Sequence, residues 1–294
     1  MERKKGMMAA FAAGLLWGST SPIAQFLFDN KGIDSKWLVP YRLLASGALL
    51  FLYAVVIKKQ KPVEVWKTGK DAVRTIAFGI LGVMGMQFSF FSAIQETNAG
   101  VATKFQYMNP AMLLIYFAVI YRVMPKKKEI IAVLFSITGI FLVATHGNLH
   151  SLSISPKGII FGLLLAVSTC FYGVLPSPLL KKYPAEIICA WSMLIGGGVL
   201  FFLFRPWKMA VEIDLEIVVA FLGIVIPGTI LPFCFYLAAV KYAGSVYAGL
   251  LSSVEPVAAT IVAAVCLGTA FPPIDILGFA MVLATLFILS VNSM

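Results

Sequence analysis

Charge is scarce in this chain, and acid is scarcer than base. Charged residues make up 12% of the 294 positions, with 13 Asp and Glu against 23 Lys and Arg. A soluble domain carries about 25% charged residues, so the shortage argues against a soluble globular fold. There are 4 cysteines and 2 histidines. The cysteines, Cys170, Cys189, Cys234 and Cys266, all fall in apolar stretches without metal-ligand spacing, and read as small packing residues. His146 and His150 lie at or beyond the end of an apolar stretch and read as loop residues rather than proton relays. No G-x-x-x-x-G-K-[ST] loop is present, which excludes P-loop ATP hydrolysis, and no H-E-x-x-H, which removes the commonest zinc-protease signature. There is no TVGYG selectivity filter. No Ser, His and acid combination suggests a hydrolase. The chain is expected to be no enzyme and to need no cofactor or metal.

What fills the chain is apolar. Hydrophobic residues reach 60%, with mean hydropathy +0.93. They fall into ten stretches, at 7–28, 36–57, 73–94, 99–121, 129–146, 157–178, 184–204, 217–240, 244–268 and 274–291. A helix of roughly 20 such residues crosses a bilayer core of about 30 Å. The expected fold class is an all-α membrane protein of ten transmembrane helices, with the lipid bilayer as its first partner. The first stretch is too long for a signal-peptide core and reads as a retained helix.

The net charge of +10 invites a nucleic-acid reading, but its placement opposes one. Arg3, Lys4, Lys5, Lys58, Lys59, Lys61, Lys67, Lys70, Arg74, Arg122, Lys126, Lys127, Lys128, Lys181, Lys182 and Lys241 fall on one side of the ten-span topology, 16 in all. Lys31, Lys36, Lys157, Arg205 and Lys208, only 5, fall on the other. This bias is expected to put both termini in the cytoplasm.

The second half of the chain echoes the first. Residues 90–102, FFSAIQETNAGVA, match 236–248, YLAAVKYAGSVYA; Asn109-Pro110 matches Glu255-Pro256; and 136–144 matches 282–290, all at an offset of 146 residues. GALLFL at 47–52 resembles GVLFFL at 198–203, and GLLWG at 14–18 and GIIFG at 158–162 open the two halves with a small-xxx-small spacing that suits close helix approach. Five spans is an odd number, so the second copy enters the membrane upside down. The expected organisation is two inverted five-helix repeats, 1–150 and 151–294, an architecture that secondary transporters use for alternating access.

LLWGSTSP at 15–22, YRLLASGALL at 41–50, NAGVATKFQYMNPAML at 98–113 and AGSVYAGLLSSVEPVAATIVA at 243–263 together resemble the EamA family of the drug/metabolite transporter superfamily, across essentially the whole chain. The resemblance implies a ten-helix inverted repeat with both termini inside, export of amino acids and related small metabolites, and a bacterial cytoplasmic membrane. Alternatives are a sugar-phosphate or nucleotide-sugar exchanger and a non-transporting membrane scaffold or sensor. Phosphate recognition favours paired basic residues, and only Lys104 suits that role well.

A charge in the hydrocarbon core costs about 2.5–3.5 kcal/mol on insertion scales and needs a reason. Glu255 lies in the ninth span beside Ser252, Ser253 and Pro256. It is either a cavity carboxylate for a substrate amine or a coupling proton, or a structural acid bonded to a neighbouring helix. Asn109 is its repeat mate. Lys104, one turn inside the fourth span, either snorkels to the interface or serves the cavity, where Glu255 or a substrate carboxylate would meet it. Arg42 reads as an interface anchor or cap partner rather than a substrate ligand. Trp17, Ser19, Gln87, Gln106, Tyr107, Tyr172 and Tyr236 are candidate cavity lining, since aromatic and amide groups combine apolar area with one directed hydrogen bond. Site-specific reporters should find residues 64 and 126 in the cytoplasm and residues 32, 152 and 210 outside. Residue 152 in the cytoplasm would break the five-plus-five division.

Overall fold

A computed structural model of the chain describes residues 2–106, 108, 112, 122, 127–145, 154–243, 251–252, 254–268 and 270–290. Among these there is no β-strand. Helix α1 spans Glu2–Lys31, and α2 spans Ser35–Leu52 and continues through a wide π-type segment, Tyr53–Ile57. Helices α3 (Gly69–Ala77) and α4 (Gly85–Glu96) form one rod through a π-type segment at Phe78–Met84. Then come α5 (Ala99–Gln106), α6 (Lys127–Thr145), α7 (Pro156–Val174), the short α8 (Ser177–Leu180) and α9 (Ala185–Phe204). Helices α10 (Leu215–Val225) and α11 (Leu231–Ala243) join through a π-type segment at Ile226–Ile230. The last two are α12 (Glu255–Leu267) and α13 (Pro273–Ser290).

The loops stop these helices by ordinary means. Gly32 follows α1 at φ +62°, a left-handed conformation that favours glycine. The side chains of Asp34, Ser155 and Asp214 cap α2, α7 and α10 by accepting from the backbone amides of Lys36, Gly158 and Ile217. Six helical stretches among the described residues are long and apolar enough to cross a membrane: 4–31, 35–57, 69–96, 156–180, 185–204 and 215–236. They coincide with six of the ten expected spans. The other four spans include residues outside the described set. Phe202, Leu203, Val219 and Val265 point outward and are exposed, as a lipid-facing surface requires.

The helices pair across the two halves of the chain. Helix α1 packs on α11 and α12, while α7 packs on α4 and α5; α2 lies against α9, and α6 against α13. Close backbone approach makes two of these contacts. A Cβ added to Gly14 would stand 2.5 Å from the Ser252 carbonyl oxygen, and one added to Gly18 would run into that of Glu255. In the second half, a Cβ on Gly158 would meet Thr97 at 2.6 Å, and one on Gly162 the Phe105 ring at 2.5 Å. The two small-xxx-small motifs thus both lie at contacts with the other half of the chain. The π-type segments of the α3–α4 and α10–α11 rods end at Met84 and Ile230, again 146 residues apart.

Two ionic ties also join the halves of the chain at helix ends. Lys31, at the end of α1, reaches Asp214 (2.6 Å) and Glu216 (2.5 Å) at the start of α10. Lys31 first, and the Ile217 amide next, hold the Asp214 carboxyl below its usual range. A depressed folded value means the tie is present above the unfolded carboxylate range and is lost as pH falls through the folded value. Lys182, after α8, donates to both oxygens of Asp71 (3.1 and 2.9 Å) in α3, and the Tyr183 hydroxyl donates to the same carboxylate (3.0 Å). Gly18→Ala should lower thermal stability in detergent by about 1–3 kcal/mol through overpacking against the Glu255 backbone. Gly198→Ala, where a Cβ meets nothing within 4 Å, should leave the unfolding temperature unchanged or raised.

Candidate functional site

Arg42 lies seven residues inside α2, about 10 Å along its axis, and only 5% of it is exposed. It is not an interface anchor. That expectation fails because the side chain turns inward, between helices, rather than toward the headgroups. Its Nη1 donates to Gln87 Oε1 of α4 (2.8 Å), and its Nε and Nη2 donate to Thr229 Oγ1 (3.1 and 2.9 Å). Thr229 lies in the π-type segment between α10 and α11, and its hydroxyl donates to the Ile224 carbonyl (2.9 Å). The guanidinium also stacks 4.4 Å from the centroid of Phe91. One cation therefore joins three helices through neutral acceptors and one aromatic face. Among the described residues no carboxylate forms an ion pair with it. Gln87 was expected to line a cavity; it is 8% exposed and holds Arg42.

Lys104 is 1% exposed, so it does not snorkel. Its ammonium lies 5.1 Å from the Phe271 ring centroid and 5.5 Å from that of Phe279. Asp275 is the carboxylate whose charge acts on it. Residues 271, 275 and 279 recur at helical spacing around the start of α13, so one face presents ring, carboxylate and ring. The Lys104 environment is this cage rather than Glu255. Asp275 is itself 1% exposed.

Glu255 opens α12, after Val254 at a turn and with Pro256 in the first helical turn. It is 6% exposed, and Ser252 is 8% exposed. Both reach α1 through their backbone carbonyls at Gly18 and Gly14. Next to Gly18, Trp17 packs against Phe233 (5.8 Å) and Tyr236 (5.6 Å) of α11. Tyr172 of α7 stacks on Phe78 (5.4 Å). The structure thus gathers Trp17, Tyr236, Ser252 and Glu255 along α1. Ser19 bonds back to the Leu15 carbonyl of its own helix (2.7 Å), and Gln106 is half-buried. Tyr107, Asn109, His146, His150 and Ser253 lie outside the described residues.

A cavity of about 390 Å³ is lined by Asp34, Lys36, Phe88, Ser92, Glu96, Lys157 and Phe161, among others. It carries both signs of charge beside aromatic rings. The Ser35 amide donates to Gln95 (2.9 Å), and the Ser35 and Ser92 hydroxyls lie 3.1 Å apart. Among the described residues no group of His, Cys, Asp and Glu could hold a metal ion.

Sequence reasoning missed Arg42, Thr229 and Asp275 as site residues. The Pro227-Gly228 break beside Thr229 was a usable signal. Asp275 gave little signal, since an acid at a helix start usually faces water. Gln87→Leu and Thr229→Val should each leave guanidinium donors unpaired and lower thermal stability by about 1–3 kcal/mol. Unfolding of the purified variants in detergent measures this.

A model of the EamA-like transporter family matches residues 4–145 and again 156–291. The chain is 31% identical over 290 residues to the uncharacterized inner membrane transporter YicL of Salmonella typhimurium, covering 99% of this chain and 96% of that one. It is 24% identical over 277 residues to the uncharacterized transporter YyaM of Bacillus subtilis, covering 90% and 87%. A solved crystal structure shares the fold at 16% identity, with a TM-score of 0.65 and coverage of 98% of this chain and 97% of the other.

Proposed function

We propose that this chain, which belongs to the EamA-like transporter family and is a membrane transporter, is a secondary-active exporter of amino acids or related small metabolites working by alternating access. The observation that carries the reading is the exchange of partners between halves. Helix α1 packs on α11 and α12 of the second half as α7 packs on α4 and α5 of the first. Ten spans in two inverted repeats, 1–150 and 151–294, account for that exchange, for the recurring glycine contacts and for the 146-residue register of the π-type segments. Two such units rock about a shared axis without unfolding either. The name of its relative in Salmonella supports the bacterial inner membrane, and the basic-residue bias supports cytoplasmic termini.

In this mechanism the solute sits among Trp17, Gln87, Lys104, Tyr107, Asn109, Tyr172, Tyr236, Ser252 and Glu255. The substrate gradient or coupled protons supply the energy. Glu255 is the proton-coupling candidate because it is a buried acid at a helix break. A sugar-phosphate exchanger receives less support, because Asp275 already acts on the buried Lys104, leaving Arg42 as a lone cation.

Glu255→Gln tests the reading. A screen for resistance to toxic amino-acid analogues first identifies a transported compound, and efflux of that compound from proteoliposomes is then measured against pH. The variant should insert and fold normally yet lose efflux or its pH dependence. Full activity with an unchanged pH profile would remove Glu255 from the mechanism.

A further inference from the structure

We propose that Arg42 and Ser46 form the binding point for the carboxylate of the transported solute, which rests on the amino-acid reading above and makes it more specific. Among the described residues the buried guanidinium meets neutral acceptors and one ring but no carboxylate, so its positive charge is uncompensated there and suits an anion. Arg carries five N–H donors. The bonds to Gln87 and Thr229 use three, leaving one on each Nη nitrogen. Two donors on one planar group match the two oxygens of a carboxylate. The Phe91 ring covers one face of the guanidinium, which leaves the edge for that contact.

Ser46 supplies an independent observation. It lies one turn along α2 from Arg42, on the same face. It is fully buried, and its hydroxyl has no hydrogen-bond partner among the described residues. Thr103, Thr169 and Ser192, buried hydroxyls in other helices, each bond back to a carbonyl four residues earlier. A buried hydroxyl left without that bond costs stability and calls for a reason. In the proposed site this hydroxyl donates a further hydrogen bond to the carboxylate held by Arg42. The mixed-charge cavity borders the same helix: Phe88 and Ser92 of α4 line it, and Phe91, between them in sequence, stacks on Arg42.

The purified full-length protein tests this by thermal unfolding in detergent. The probes are the protein L-amino acids, their carboxamides, the amine-free carboxylates pyruvate and succinate, and inorganic phosphate. At least one L-amino acid should raise the unfolding temperature, and its carboxamide should not. Ser46→Ala should fold as well as wild type or better, since it removes an unpaired buried hydroxyl, yet weaken apparent affinity about tenfold. Arg42→Lys keeps the charge without the fork and should weaken it further. A shift by pyruvate or succinate alone, lost in Arg42→Lys, would uphold the carboxylate site and sink the amino-acid reading. A carboxamide as effective as its amino acid, or affinities unchanged in Ser46→Ala and Arg42→Lys, would overturn the site while leaving amino-acid export standing. Stabilisation by phosphate alone, or by none of these compounds, would overturn the proposal.

Discussion

Contact between helix backbones at glycine is the constraint on which the rest of this structure depends. Lipid is as apolar as leucine, so helices gain little by burying apolar side chains against each other and must find attraction in close packing. Gly14 and Gly18 let α1 rest directly on the chain around Ser252 and Glu255. Gly196 and Gly197 of α9 do the same at the centre. There a Cβ on Gly196 would meet the Gly79 carbonyl at 2.8 Å, and one on Gly197 would meet Leu43 at 2.9 Å. These approaches set which side chains can face one another. With α9 seated on α2 and on the π-type segment after α3, the Arg42 face of α2 is directed toward α4 and Thr229.

The buried cations show two solutions to the same cost. Lys104 lies between two rings and under the influence of Asp275, so charge is answered by charge and by ring quadrupoles. Arg42 is answered by one ring and two neutral oxygens. The first arrangement fastens α5 to the start of α13. The second keeps a net charge inside the protein, which suits a group meant to meet something else. A guanidinium suits that role better than an ammonium, because its donors are fixed in a plane and it is more weakly hydrated.

The scaffold repeats, but the chemistry does not. The 146-residue offset puts Phe233 at the place of Gln87 and Val83 at that of Thr229, and the early-helix match puts Met193 at that of Arg42. The helix contacts recur between the halves of the chain, while the Arg42 cluster occurs once among the described residues. The ionic ties also join the two halves: Lys31 binds α1 to α10, and Lys182 binds the end of α8 to α3.

The sequence by itself determined the membrane class, the family and six of the helical spans. These follow from hydropathy and length, which act locally along the chain. It also determined where close contacts would form, because glycine at a four-residue spacing leaves one helix face without side chains. It singled out Trp17, Tyr236, Ser252 and Glu255, which the fold brings to one helix, but it could not say that they meet. Only the tertiary structure decided the fate of the charged residues. Arg42 and Lys104 both read as single cations inside apolar stretches. Their difference lies in residues far away in sequence, Thr229 for one and Phe271, Asp275 and Phe279 for the other. Hydropathy reports how costly a buried charge is. The partner that offsets the cost is chosen by helix packing, and no local pattern encodes it.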